Sequence, residues 1–174
     1  ILREKTILFD LDGVLIDVSG SYRLAAKKTA EYFLNKNIAD SAIQKLKEKG
    51  GFNNDWDVAE ALVKGQRMKI PRDKIVEKFQ EFYSGKGRLC ENEKWLLTEE
   101  NLARLYREFR LGIVTGRPRS EALEALNRFK VMEYFDVLIA LEDIPQGMEK
   151  PNPFGLKLAL EKIGGKSAFY VGDS

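Results

Sequence analysis

The stretch Thr6 to Asp17, TILFDLDGVLID, constrains this chain most. Ile7, Leu8 and Phe9 form a continuous apolar run, the pattern of a strand buried on both faces of a parallel sheet. The run stops at two carboxylates, Asp10 and Asp12, and Gly13 follows at once. In extended backbone the i, i+2 spacing puts both side chains on one side, so the pair can converge on one reactant. Strand ends of open α/β sheets are where such sheets hold their ligands. Two adjacent carboxylates repel each other and favour a divalent cation between them, and Mg2+ prefers oxygen ligands of this kind. The same residues also suit a solvated turn, because Asp and Gly are ordinary turn formers. An EF-hand loop fits poorly: Gly13 comes too early and the flanks read as strand.

Beyond Asp17 the pattern changes. Ser19 or Ser21 can cap a helix reaching about Asn35, with Tyr22, Ala26, Ala30 and Phe33 along one face. Asp40 can cap a second helix carrying Ile43 and Leu46, ended by Gly50 and Gly51. A third runs from about Asn54 through Trp56, Ala59, Leu62 and Val63. Pro71 separates it from a fourth marked by Ile75, Phe79 and Phe82. A stretch of this length without a strand is too long for a connection inside a compact α/β unit. Residues 18–88 therefore read as an inserted helical subdomain, with the glycines of Ser84-Gly85-Lys86-Gly87-Arg88 as its return hinge.

Alternation follows. Thr98 opens a helix with Leu102, Leu105, Tyr106 and Phe109 toward the core. A strand from Leu111 to Val114 precedes a helix from Pro118 to about Phe129. A strand from Val137 to Ala140 precedes a helix from Pro153 to about Ile163, started by Asn152-Pro153 and ended by Gly164-Gly165. Ala168 to Val171 is a last strand. Alternating strands and helices predict a doubly wound parallel sheet, built from residues 1–17 and 89–174.

Composition narrows the chemistry. Twenty-nine Lys and Arg against 27 Asp and Glu give a net charge of +2, too balanced to argue for nucleic acid or an anionic membrane as partner. The one cysteine, Cys90, excludes an internal disulfide and a multi-cysteine zinc site. No apolar run approaches the roughly 18 residues needed to span a bilayer, and no signal-peptide pattern is visible, so a cytoplasmic location is expected. With no histidine in the chain, acid and base work falls to carboxylates, lysine or tyrosine.

Four segments carry chemistry in order: Phe9-Asp10-Leu11-Asp12-Gly13-Val14, Ile113-Val114-Thr115-Gly116-Arg117-Pro118, Lys150-Pro151-Asn152-Pro153 and Tyr170-Val171-Gly172-Asp173-Ser174. This set resembles the motifs of the haloacid-dehalogenase-like hydrolase superfamily, most closely its phosphoglycolate-phosphatase-like branch with a helical cap. The resemblance covers the whole chain. It implies a Rossmann-like α/β core, a Mg2+ cofactor and a small phosphorylated metabolite as substrate. Asp10 would be the nucleophile forming an aspartyl-phosphate, and Asp12 the general acid and base. Thr115 and the Gly116 amide would hold a phosphoryl oxygen, Lys150 would pair with the phosphoryl group and Asp10, and Asp10, Asp12 and Asp173 would serve the metal. Each residue has a plainer reading as well: strand-end hydroxyl, surface lysine, turn carboxylate. Arg117 either contacts an anionic substrate or caps local structure. Gly50 to Trp56 is cap structure or, through Asn54, a substrate-facing loop over a phosphate that the cap encloses.

Asp12 separates phosphatases and phosphomutases from dehalogenase relatives, whose halide leaving group needs no proton. A phosphomutase similar to β-phosphoglucomutase, or a phosphate-binding domain without catalysis, are the alternatives to a phosphatase. Members of the superfamily continue past Gly-Asp-Ser with a second acidic residue and at least one more strand and helix. The expectation is therefore a longer natural protein, an exposed apolar sheet edge here, weak Mg2+ binding, and a monomer or weak homodimer.

Overall fold

A computed structural model describes residues 3–48, 55–65 and 69–173 of the 174. The chain divides into two compact units, Ile1–Asp17 with Lys94–Ser174, and Val18–Glu93.

The first unit is built on a parallel four-stranded sheet of order β5-β4-β1-β6, from Lys5–Phe9 (β1), Phe109–Val114 (β4), Val137–Ile139 (β5) and Ala168–Val171 (β6). In register, Leu8 of β1 lies opposite Gly112 of β4 and Tyr170 of β6. The apolar run behaves as its pattern requires: Ile7, Leu8 and Phe9 are all buried, and burial of such side chains stabilises by about 1.5–3 kcal/mol each. Helices α5 (Glu99–Glu108), α6 (Arg119–Arg128) and α7 (Phe154–Ile163) alternate with the strands. Leu8, Val114, Val137 and Ile139 form one core cluster with Ala159 and Ile163 of α7. Gly112 lets these layers close, since a Cβ there would lie 2.6 Å from Val137 Cγ1 and 2.7 Å from Leu8 Cδ2.

Helix ends follow local chemistry. Thr98 Oγ1 accepts from the Asn101 amide at 3.2 Å, Asn152 Oδ1 from the Phe154 amide at 2.9 Å, and Gly164 ends α7 at φ 70°. A short antiparallel ribbon, Ile16–Asp17 (β2) with Lys94–Trp95 (β3), joins the points where the chain leaves and re-enters this unit. Tyr106, expected toward the core, is 36% exposed and lies under the Arg3 guanidinium, while Phe109 belongs to β4 rather than to α5.

The second unit contains α1 (Tyr22–Leu34), α2 (Asp40–Glu48), α3 (Asp55–Lys64) and α4 (Arg72–Tyr83). Ile75, Phe79 and Tyr83 form the buried stripe of α4, with Tyr83 taking the place expected for Phe82 and stacking on Tyr22 at 4.3 Å. Ser21 does not cap α1. Its hydroxyl instead bonds Glu93 Oε1 at 3.2 Å, alongside the Tyr83 hydroxyl at 3.1 Å. These bonds keep Glu93 and the turn Leu89–Asn92 in the helical unit, so the chain crosses back after Glu93 and not after Arg88. Gly85 and Gly87 serve close approach: a Cβ at Gly87 would lie 2.3 Å from the Phe82 carbonyl oxygen. No helix among the described residues is long and apolar enough to cross a membrane.

Candidate active site

The carboxyl end of β1 passes into a tight turn. The Asp10 amide donates to the Val171 carbonyl at 2.8 Å, continuing the ladder with β6 one residue past the strand. The Gly13 amide donates to Ile16 O at 2.8 Å, and the Leu15 and Ile16 amides both reach Leu11 O at 2.9 Å. Gly13 takes φ 76°, which only glycine adopts freely. It also makes room: a Cβ there would come within 2.2 Å of Asp173 Oδ2. The turn after β1 and the second residue beyond β6 are thus brought together at Gly13 and Asp173.

Asp10 is the enclosed member of the pair, with a side chain 12% exposed. Its Oδ1 accepts from the Leu11 amide at 2.8 Å and its Oδ2 meets Lys150 Nζ at 2.6 Å. Burial pushes the Asp10 carboxyl up from its ordinary value, against the opposing pull of Lys150, and the Asp12 charge adds to the rise. Burial pulls the Lys150 ammonium down, but attraction to Asp10 and bonding to Asp10 and Tyr170 outweigh it, so its net shift is upward. Lys150 Nζ also lies 5.7 Å from the centre of the Tyr170 ring. Tyr170 was not singled out by the sequence, where AFYV reads simply as an apolar strand. Its ring folds back over Gly172, whose absent Cβ would lie 2.8 Å from Tyr170 Cε1.

Thr115 sits just past β4, next to β1 in the sheet. It is buried, its amide donates to Ile139 O at 2.9 Å, and its Oγ1 accepts from the Arg117 amide at 3.2 Å. Gly116 lies between these two residues on a bend. Arg117 turns inward: its Nε and Nη2 reach Asp12 Oδ1 at 2.7 and 2.6 Å, and its side chain is 1% exposed. The structure therefore brings together Asp10 with Lys150, Asp12 with Arg117, and Asp173 with Gly13. Asn54, the candidate from the helical unit, lies outside the described residues.

The donor chemistry suits a hard divalent cation, since Asp10, Asp12 and Asp173 offer only oxygen and Gly13 leaves the space that Asp173 enters. Among the described residues, however, no three Asp, Glu, His or Cys side chains are grouped as a ready cation site. Asp10 and Asp12 are instead turned to Lys150 and Arg117.

Comparison with known proteins agrees with this geometry. The sequence model for haloacid dehalogenase-like hydrolases matches residues 7–174. Pyrophosphatase PpaX of Halalkalibacterium halodurans is 30% identical over 98% of this chain and 75% of its own length. A phosphoglycolate phosphatase of Vibrio parahaemolyticus is 27% identical over 98% of this chain and 75% of its own length. A protein of Phytophthora nicotianae named imidazoleglycerol-phosphate dehydratase is 34% identical over 98% of this chain, which spans only 39% of that relative. Among solved structures, phosphatase Tt82 from Thermococcus thioreducens superposes with a TM-score of 0.72 at 28% identity, over 97% of this chain and 82% of its own.

Proposed function

The chain belongs to the haloacid dehalogenase-like hydrolase family, and on that premise we propose that it hydrolyses a small phosphate monoester through a phosphorylated Asp10. The observation that carries the reading is the 2.6 Å contact between a buried carboxylate at the end of the central strand and Lys150. An anionic nucleophile needs a neighbouring cation if it is to approach an anionic phosphoryl group, and Lys150 is that cation. Asp10 attacks phosphorus, a P–O bond forms to its carboxylate, and the bond to the leaving alkoxide breaks. Asp12 delivers a proton to that alkoxide and later removes one from the water that cleaves the acyl phosphate. The Thr115 hydroxyl and the Gly116 amide hold phosphoryl oxygens. Mg2+, held by Asp10 and Asp173 beside Asp12, would supply further neutralisation of phosphoryl charge when bound. Asn54 is the candidate in the helical unit for selecting the leaving group.

A panel of phosphorylated metabolites, with pyrophosphate included because one relative bears that name, tests the proposal with and without Mg2+. The expected outcome is release of inorganic phosphate from at least one monoester by the wild type and none by Asp10→Asn. Isomerisation of a sugar phosphate without phosphate release would replace hydrolysis by mutase chemistry.

A further inference from the structure

Arg117 combines an enclosed charge with a fixed main chain. Its side chain is 1% exposed, whereas the Asp12 side chain it contacts is 30% exposed. Both Nε and Nη2 fall on the same oxygen, Asp12 Oδ1, at 2.7 and 2.6 Å. The main chain of Arg117 is tied on both sides as well, its amide to Thr115 Oγ1 at 3.2 Å and its carbonyl to the Leu141 amide at 2.9 Å. A guanidinium buried to this degree needs an acceptor at hydrogen-bonding distance, because it cannot be neutralised by losing its proton. Asp12 Oδ1 is such an acceptor, 105 residues away in sequence.

We infer that Arg117 is a positioning residue whose partner is Asp12, and that it does not bind the substrate phosphoryl group. The inference rests on the phosphatase reading of Asp12 as proton donor to the leaving group. With Oδ1 engaged by the Nε hydrogen bond and the close Nη2 contact, Oδ2 is the oxygen left to exchange a proton with leaving group and water. The contact draws Oδ1 to the guanidinium and so distinguishes the two oxygens of the carboxyl group. Lysine would keep the charge but offer a single point of contact, and would hold the carboxyl less firmly. Proton delivery matters for an alkoxide leaving group and little for a nitrophenolate.

The test compares wild type, Arg117→Lys and Arg117→Met on glycerol phosphate and 4-nitrophenyl phosphate, with inorganic phosphate as competitive inhibitor. A positioning role predicts that kcat on the alkyl ester falls by about 30-fold or more and on the aryl ester by less than about 5-fold. The inhibition constant for phosphate should stay within about twofold of wild type, with Arg117→Lys falling between wild type and Arg117→Met. Equal losses on both esters, with phosphate inhibition weakened in step, would overturn the inference and make Arg117 a substrate ligand. Thermal unfolding of Arg117→Met, Asp12→Asn and the double variant decides the pairing without turnover. Coupling predicts a double-variant Tm no lower than that of the worse single variant, and strictly additive shifts would overturn it. A wild type inactive on every ester would count against the phosphatase reading, while the unfolding cycle would still decide the Arg117–Asp12 pair.

Discussion

The Asp10–Lys150 pair is asymmetric, and the asymmetry predicts unequal consequences for its two halves. The Asp10 side chain is 12% exposed and that of Lys150 is 36% exposed. Lys150→Met strands an enclosed carboxylate without its ammonium. Breaking a fully buried pair costs about 3–5 kcal/mol, and the partial exposure of Lys150 brings the expected loss down to about 2 kcal/mol at pH 8. Asp10→Asn removes the charge that burial disfavours and leaves an ammonium that can turn to water, so its cost should stay below about 0.5 kcal/mol. The pH dependence has a definite sign. Burial already holds the Asp10 carboxyl above its ordinary value, against Lys150. Removing Lys150 raises it further, so the folded state binds more protons than the unfolded chain above the ordinary Asp value of about 3.9. The loss in Lys150→Met is therefore full above the folded-state pKa and shrinks as pH falls toward about 4. Urea unfolding of both variants at pH 5 and pH 8 measures this. Equal losses for the two variants, or a Lys150→Met loss that does not change with pH, would refute the reasoning.

Gly13→Ala and Gly147→Ala form a matched pair, with φ of 76° and 85°, but only the Cβ at Gly13 meets another group, Asp173 Oδ2 at 2.2 Å. Both should lose about 1–2 kcal/mol by urea unfolding, and only Gly13→Ala should raise the Mg2+ concentration needed for half-maximal turnover. In the helical unit, Lys64 and then Arg72 hold the Glu60 carboxyl below its ordinary value, with burial opposing. Its contribution is present above about pH 4.3 and lost as pH falls through the lower folded-state value, so the stability gap of up to about 1 kcal/mol between wild type and Glu60→Gln should shrink as the pH is lowered through that value. Asn54→Ala should reorder turnover rates among the phosphate esters while leaving the inhibition constant for inorganic phosphate unchanged.

The parallel α/β architecture was legible because its signals are local. An apolar run ending in Asp10 and Asp12 needs no distant partner to be read as a buried strand, and Thr98, Asn152 and Gly164 mark helix ends through bonds or φ values within a few residues. What escaped depended on long-range pairing. The β2–β3 ribbon has two residues per strand, too few to show a period, and joins residues 16–17 to 94–95. Ser21 had the chemistry of a cap, but Glu93 competed for its hydroxyl from 72 positions away. The exposed apolar edge, by contrast, was legible: β6 ends the sheet order, with Phe169, Tyr170 and Val171 65%, 38% and 41% exposed. The motif order singled out Asp10, Asp12, Thr115, Lys150 and Asp173, but nothing local to Arg117 shows that its side chain turns toward Asp12. Tyr170 escaped for the same reason, since its link to Lys150 depends on the folding back of its ring over Gly172.

Covalent trapping of the intermediate tests the central claim most directly. Wild-type protein is mixed with a turned-over monoester, quenched in acid within one turnover, reduced with tritiated borohydride and mapped by peptide. The account predicts label confined to the peptide containing Asp10 and absent from Asp10→Asn. Rapid phosphate release by the wild type with no label at Asp10, or release that survives Asp10→Asn, would contradict it.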